Sequence, residues 1–332
     1  MSRSLFILVA VLTMAVGEGC SREGSADAPA IKEKLTLAAP AVPHTALLQI
    51  AAAKGFFAQE GLEVTIVPTA TGPEAVGLVT QGKADLATAA EVVVVLAILK
   101  GQPLAILASM LSAHEIRVVA RRDRDIAGLA DLRTKKVGLT YGTSAEYFVW
   151  AQLKRLKLPR DSISLVNLPP DRIPGALADS SVDAVAAWQP IVSRAQAALG
   201  QGNSLLLKGE DVYTETHVIG GRSEFLAKHP QAIVALVRAL LKSEQFIRSQ
   251  PQEASRLLAE RLALDAATLG PTLKDFSFRL DLRESQLINL EDQATWAMEL
   301  GYAARGPVHN FQPNLYLDAL LAVSPDRVTV LH

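Results

Sequence analysis

The 332-residue chain is 49% apolar and 20% charged, which suits about two globular domains and excludes a disordered chain. Lys plus Arg number 33 against 34 Asp plus Glu, a formal charge of −1 with no block of like charge, so the electrostatic footprint of a general nucleic-acid binder is missing. The single cysteine, Cys20, excludes internal disulfides, iron–sulfur clusters and zinc sites with more than one thiolate, and no histidine pair has a metal-ligand spacing.

The chain starts with a short positive segment around Arg3, then an apolar run from Leu5 to Val16 that is too short to span a bilayer and typical of a secretory signal. Cys20 stands just beyond that run, where a bacterial lipoprotein carries the thiol that receives its lipid. Residues 1–19 then read as a signal peptide and 20–33 as a polar tether holding the protein to a membrane surface. Glu18 departs from the small uncharged residue usual before a lipidated cysteine, so ordinary cleavage nearby is the alternative.

From Lys34 onward, short apolar runs alternate with helix-like segments, the pattern of an α/β fold with mainly parallel sheets flanked by helices. Leu35 to Ala38 reads as a strand, His44 to Lys54 as a helix stopped by Gly55, and Leu62 to Val67 as an alternating strand. A helix opens at Gly72-Pro73-Glu74, Gly82 closes it, and Asp85 to Thr88 forms the next strand. The scheme recurs as strand 136–140, helix 144–156, strand 163–168, helix 173–179 and strand 183–186. Gly82-Lys83-Ala84-Asp85 and Ser180-Ser181-Val182-Asp183 match as turns entering strands, which predicts two similar lobes with a ligand cleft between them. Beyond Gly220-Gly221 the helices 230–249, 251–262 and 284–300 are predicted, with apolar positions three and four residues apart.

Several segments, in order, resemble the nitrate/sulfonate/taurine family of periplasmic binding proteins of ABC importers. They are Ala51 to Leu62, Gly82 to Ala87, Ile126 to Leu132, Gly142-Thr143-Ser144-Ala145-Glu146-Tyr147, Val182 to Pro190 and Glu224 to Pro230. The resemblance implies a two-lobed, type II-like binding protein whose chain crosses a hinge near Ala120 and again near His217. Lobe 1 is then 34–120, lobe 2 is 121–217, and 218–332 returns to lobe 1. Closure would trap a small anionic or zwitterionic solute and present a surface to a permease and ATPase on separate chains. It implies a monomer in the periplasm, no cofactor, no metal and no catalysis.

Gly142-Thr143-Ser144, between a strand and a helix, offers backbone N–H groups and hydroxyls at the positive end of a helix dipole, as an anion site or as a plain cap. Trp188 ends a strand, where open α/β sheets bind ligands; in the family this position lines the cleft, and Gln189 stands where an acidic residue is common. Lobe 1 should contribute His44 and the turn at Ala90-Glu91, with Glu91 disfavouring a bare anion if it faces the cleft. His114 and Glu115, before the strand Ile116 to Ala120, are second choices. Other readings are a thiamine-precursor pyrimidine binder, a sensor without transport, and an enzyme of the thiamine-pyrimidine branch, for whose cysteine-rich motif this chain has no residues.

Overall fold

A computed structural model describes residues 33–209, 212–265, 269–270 and 273–330. The signal-peptide segment, most of the tether and Cys20 lie outside these residues. Lobe 1 begins with β1 (Glu33–Pro40), α1 (Ala46–Ala53), the short α2 (Phe56–Gln59), β2 (Leu62–Thr69), α3 (Gly72–Thr80), β3 (Leu86–Ala90), α4 (Glu91–Leu99) and β4 (Leu104–Ala113). Lobe 2 is β5 (Arg117–Arg121), β6 (Lys136–Leu139), α5 (Ser144–Arg155), β7 (Ser164–Asn167), α6 (Ile173–Ala178), β8 (Ala184–Ala187), α7 (Ile191–Leu199) and β9 (Ser204–Leu207). The chain then returns through β10 (Glu215–Arg222), α8 (Ser223–Lys228), α9 (Pro230–Ser249), α10 (Pro251–Leu262), β11 (Phe276–Asp281), α11 (Glu284–Leu300) and α12 (Asp318–Val323).

The two sheets share one plan. The first has the order β2-β1-β3-β10-β4-β11 and the second β7-β6-β8-β5-β9. In each, three strands joined through helices pair in parallel, and a strand arriving from a crossing inserts antiparallel beside the third. The parallel βαβ units expected from the alternation are therefore present, and antiparallel pairs appear where β5 and β10 enter.

The repeat visible in the sequence has a physical counterpart. The carboxylate of Asp85 accepts the backbone N–H of Thr36 at 2.7 Å, and that of Asp183 accepts Lys136 N–H at 2.8 Å. Each aspartate also donates its own N–H to the carbonyl of the same residue at 2.9 Å, so one side chain pins the first strand of each lobe.

The chain changes sheet between β4 and β5 and again between β9 and β10, so Ala120 falls inside β5 of the second sheet and His217 inside β10 of the first. Hydropathy marks both segments as strands and carries nothing about which sheet each one joins.

Helix α4 explains how so apolar a segment is accommodated. Val92, Val93, Val94 and Val95 are all buried because α4 packs on the first sheet and α11 covers its other side. Each buried valine contributes about 1.5–3 kcal/mol relative to an exposed one. From the same C-terminal region, Tyr302 Oη donates to Glu146 Oε2 on α5 at 2.7 Å, and Glu299 of α11 accepts Trp150 Nε1–H at 3.0 Å. These contacts join the lobes on the side of the C-terminal helices.

Candidate functional site

A cleft of about 440 Å³ opens where the lobes meet. Lobe 1 supplies Pro40, Val42 and His44 after β1, Thr71-Gly72-Pro73 before and within α3, and Ala90 and Val93 around the start of α4. Lobe 2 supplies Thr143, Ser144 and Trp188. Glu215 and His217, at the start of β10, form part of the floor.

The α5 end is shaped for hydrogen bonding. Gly142 adopts φ 71°, a left-handed conformation that costs an L-residue strain, and its N–H donates to Glu146 Oε2 at 2.8 Å. Thr143 directs its hydroxyl backwards to the carbonyl of Thr140 at 2.7 Å, so it does not cap the helix with its side chain. The first-turn amides of Ser144 and Ala145 have no intrahelical acceptor, and the positive helix end faces the cleft.

Opposite, the floor is strongly polar for so buried a place. His44 and Glu115 are each 2% exposed, and the His44 Nε2–H donates to Glu115 Oε1. Glu215 Oε1 lies 3.5 Å from the same nitrogen. Burial alone would lower the His44 basicity, but the Glu115 charge and hydrogen bond, with Glu215 adding to them, raise it above the ordinary imidazole value. Burial lifts the Glu215 carboxyl to about 7, with the His44 charge pulling it down and Glu115 pushing it up. His217 goes the other way, depressed by burial and by the neighbouring His44 charge.

Of the residues singled out in the sequence, His44, Ala90, Thr143, Ser144 and Trp188 line this one cleft, and Gly142 supports its α5 wall. Glu115 stands behind His44. Glu91 lies elsewhere: fully buried beneath the wall, it accepts from Tyr213 Oη at 2.9 Å, from the Thr216 N–H at 2.9 Å and from Gln293 Nε2 at 2.8 Å. Burial and the Glu215 charge raise its carboxyl to about 8. Gln189 turns into α7, accepting from the Ser193 hydroxyl at 2.9 Å, and His114 is exposed beside Thr214.

Glu215 and His217 escaped the sequence reading as site residues. The available signal was two ionisable residues on alternate positions, hence on one face, at the start of a strand whose middle, Val218 to Gly221, is apolar.

The sequence profile of the family described as NMT1/THI5 like matches residues 42–254. A protein of Bacillus subtilis (strain 168) named for binding aliphatic sulfonates is 26% identical over 286 residues, covering 83% of either chain. A protein of Brucella abortus (strain 2308), named only as a binding protein, is 24% identical over 238 residues, 70% of this chain and 72% of that one. Among solved structures, the periplasmic aliphatic sulphonate binding protein SsuA from Escherichia coli superimposes with a TM-score of 0.75 at 18% identity, covering 87% of this chain and 99% of that one. The two-lobed architecture is thus the periplasmic binding protein fold, and the profile match, spanning more than half of the sequence, shows that the chain belongs to the NMT1/THI5-like family.

Proposed function

We propose that this protein is the solute-binding subunit of an ABC importer and captures a small anionic or zwitterionic solute, of the sulfonate or taurine type, between its lobes. The observation that carries the reading is the confrontation across one cleft of the α5 N-terminus with a floor holding His44 and Glu215. The helix amides and the Ser144 hydroxyl receive the anionic end. Glu215 takes a cationic end, and Val42, Val93 and the Trp188 ring cover the carbon atoms between. Release would pass the solute to a permease on a separate chain. The flat Trp188 face beside Glu215 also suits a planar nitrogen heterocycle, so a pyrimidine is the second reading.

A thermal-shift panel of taurine, alkylsulfonates, nitrate and a hydroxymethylpyrimidine tests the proposal. A cognate solute at about a thousandfold over its dissociation constant stabilises by about 4 kcal/mol. Silence from the whole panel counts against the reading, a response to the pyrimidine alone selects the second one, and turnover of any hit makes the protein an enzyme. Against the responding solute, Ser144→Ala and Trp188→Ala should each weaken binding by about tenfold, or about 1.4 kcal/mol, in isothermal titration. Unchanged affinity in both moves the site elsewhere.

The same reading puts the protein outside the cytoplasmic membrane, held there through lipid on Cys20. Cys20→Ser should then release it from the membrane fraction to the soluble one, and retention of the variant would refute the anchor.

A further inference from the structure

At the cleft floor, three segments distant in sequence bring metal-type ligands together. His44 follows β1, Glu115 belongs to the first crossing, and Glu215 begins β10. One donor atom of each lies within 4.8 Å of the other two, and all three residues are buried. His44 Nε2 and Glu215 Oε1, at 3.5 Å, are already close to the edge of about 3.3 Å that ~2.0 Å bonds to a tetrahedral ion require.

The cluster has more acceptors than its donors can serve. The Nε2–H of His44 goes to Glu115 and the Ser144 hydroxyl reaches the Glu215 carboxyl, while Glu115 Oε2 and Glu215 Oε2 are buried without a partner among the described residues. His217, its ring 5.0 Å from that of His44, has neither nitrogen partnered among the described residues. Buried carboxylate oxygens and imidazole nitrogens left in this condition are costly unless a proton, a water or a cation serves them, and three ligand-type groups drawn together favour the cation. The charge of the floor also suits a cation better than an anion, because the Glu215 carboxyl lines the cleft and that of Glu115 lies just behind His44. A divalent cation reverses that sign.

We infer that His44, Glu115 and Glu215 together hold one divalent transition-metal ion of the zinc class, with a fourth position open to the cleft. One imidazole and two carboxylates suit such an ion better than calcium or magnesium, which favour six or more oxygens or retained water. Three protein ligands and one open position is the arrangement of a site that takes an exogenous ligand. In the metal-loaded protein Glu215 serves the ion instead of a cationic group of the solute, and the anionic end of the solute occupies the open position with the α5 amides on its other side; this last role rests on the proposed function, whereas the ligation itself does not.

The experiment uses tag-free protein stripped with EDTA, dialysed, and titrated with Zn²⁺ in competition with a chromophoric chelator. One equivalent per chain at micromolar affinity or tighter is expected, and Co²⁺ in its place should give the intense visible bands of a four-coordinate site. His44→Gln and Glu115→Gln should each weaken uptake by about a hundredfold. No stoichiometric uptake by the native protein, which needs no variant to establish, overturns the inference; so does uptake unchanged in both variants. Repeating the solute panel with Zn²⁺ and with EDTA separates the two proposals. Metal uptake with no responding solute leaves the metal site standing and removes the solute reading. A solute that binds equally well in EDTA removes the anchoring role.

Discussion

Glu91→Gln should lessen the loss of stability that the native protein suffers as pH rises from 6 to 9. Glu91 is fully buried, with its carboxyl raised to about 8 by burial first and by the Glu215 charge second. In the unfolded chain the same group titrates near 4.5. Below that value both states hold the proton and Glu91 adds no pH dependence. Between the two values the unfolded state releases the proton while the folded state keeps it, so the folded state loses ground as pH rises, by about 1.4 kcal/mol per unit and on the order of 5 kcal/mol in all. Glu215, raised to about 7, contributes a decline of the same sign that finishes earlier. His44, raised above 6.5, adds a decline of the same sign in this range, so the Glu91 contribution is read as the difference between the native protein and Glu91→Gln.

Local chemistry makes the substitution tolerable. Gln293 Nε2 donates to Glu91 Oε1, and Gln293 Oε1 has no partner among the described residues. Turning that amide over offers an acceptor to a protonated Glu91 or to the amide of a glutamine. Chemical denaturation at pH 6, 7, 8 and 9 in EDTA checks this: an equal decline in both proteins refutes it. Glu91→Ala should behave differently, because it strips the acceptor from Tyr213, Gln293 and the Thr216 N–H, and a loss of about 3 kcal/mol or more at every pH is expected.

The second large effect is steric. β10 runs between β3 and β4, and a Cβ on Gly220 would lie 2.5 Å from the carbonyl oxygen of Ala105 in β4. Gly221 is as tight, with Asp85 O at 2.7 Å on the β3 side. Backbone cannot withdraw as a flexible side chain can, so Gly220→Ala should force β4 and β10 apart and cost about 3 kcal/mol. Gly301→Ala makes a useful contrast: its φ of 79° is strained for alanine, but nothing lies within 4 Å of the added carbon, and about 1 kcal/mol is expected. Urea midpoints rank the two, and a Gly220→Ala protein as stable as Gly301→Ala would contradict the packing argument.

The regular elements were legible because each carried its own punctuation. Pro230 and Pro251 open α9 and α10 at first-turn positions, and Gly301 closes α11 in the left-handed region, so those helices begin and end where the sequence placed them. The cleft was legible in part through chain chemistry: Thr143-Ser144 begins a helix after a strand, and Trp188 directly follows the strand β8. What stayed hidden depends on which surfaces meet. Glu91 opens an apolar helix in a way that fits a cleft residue equally well, and only the packing of Tyr213 and Gln293 around it places it inside. Glu115 was marked as a lesser candidate because a loop residue gives no sign that His44, 71 positions away, will claim it. Glu215 and His217 become neighbours of His44 through the return of the chain to the first sheet, which local spacing does not encode.

The interior position of β10 also dictates an order of assembly. Residues 117–207 carry every strand of the second sheet, so that lobe can complete itself from one continuous stretch. The first sheet cannot: β3 and β4 face an empty lane until residues 215–222 have been synthesised, some hundred residues after β4. During that interval the amino-terminal half is a pair of unpaired edges rather than a finished sheet, and the nascent polypeptide stays pliable at the end that emerges first.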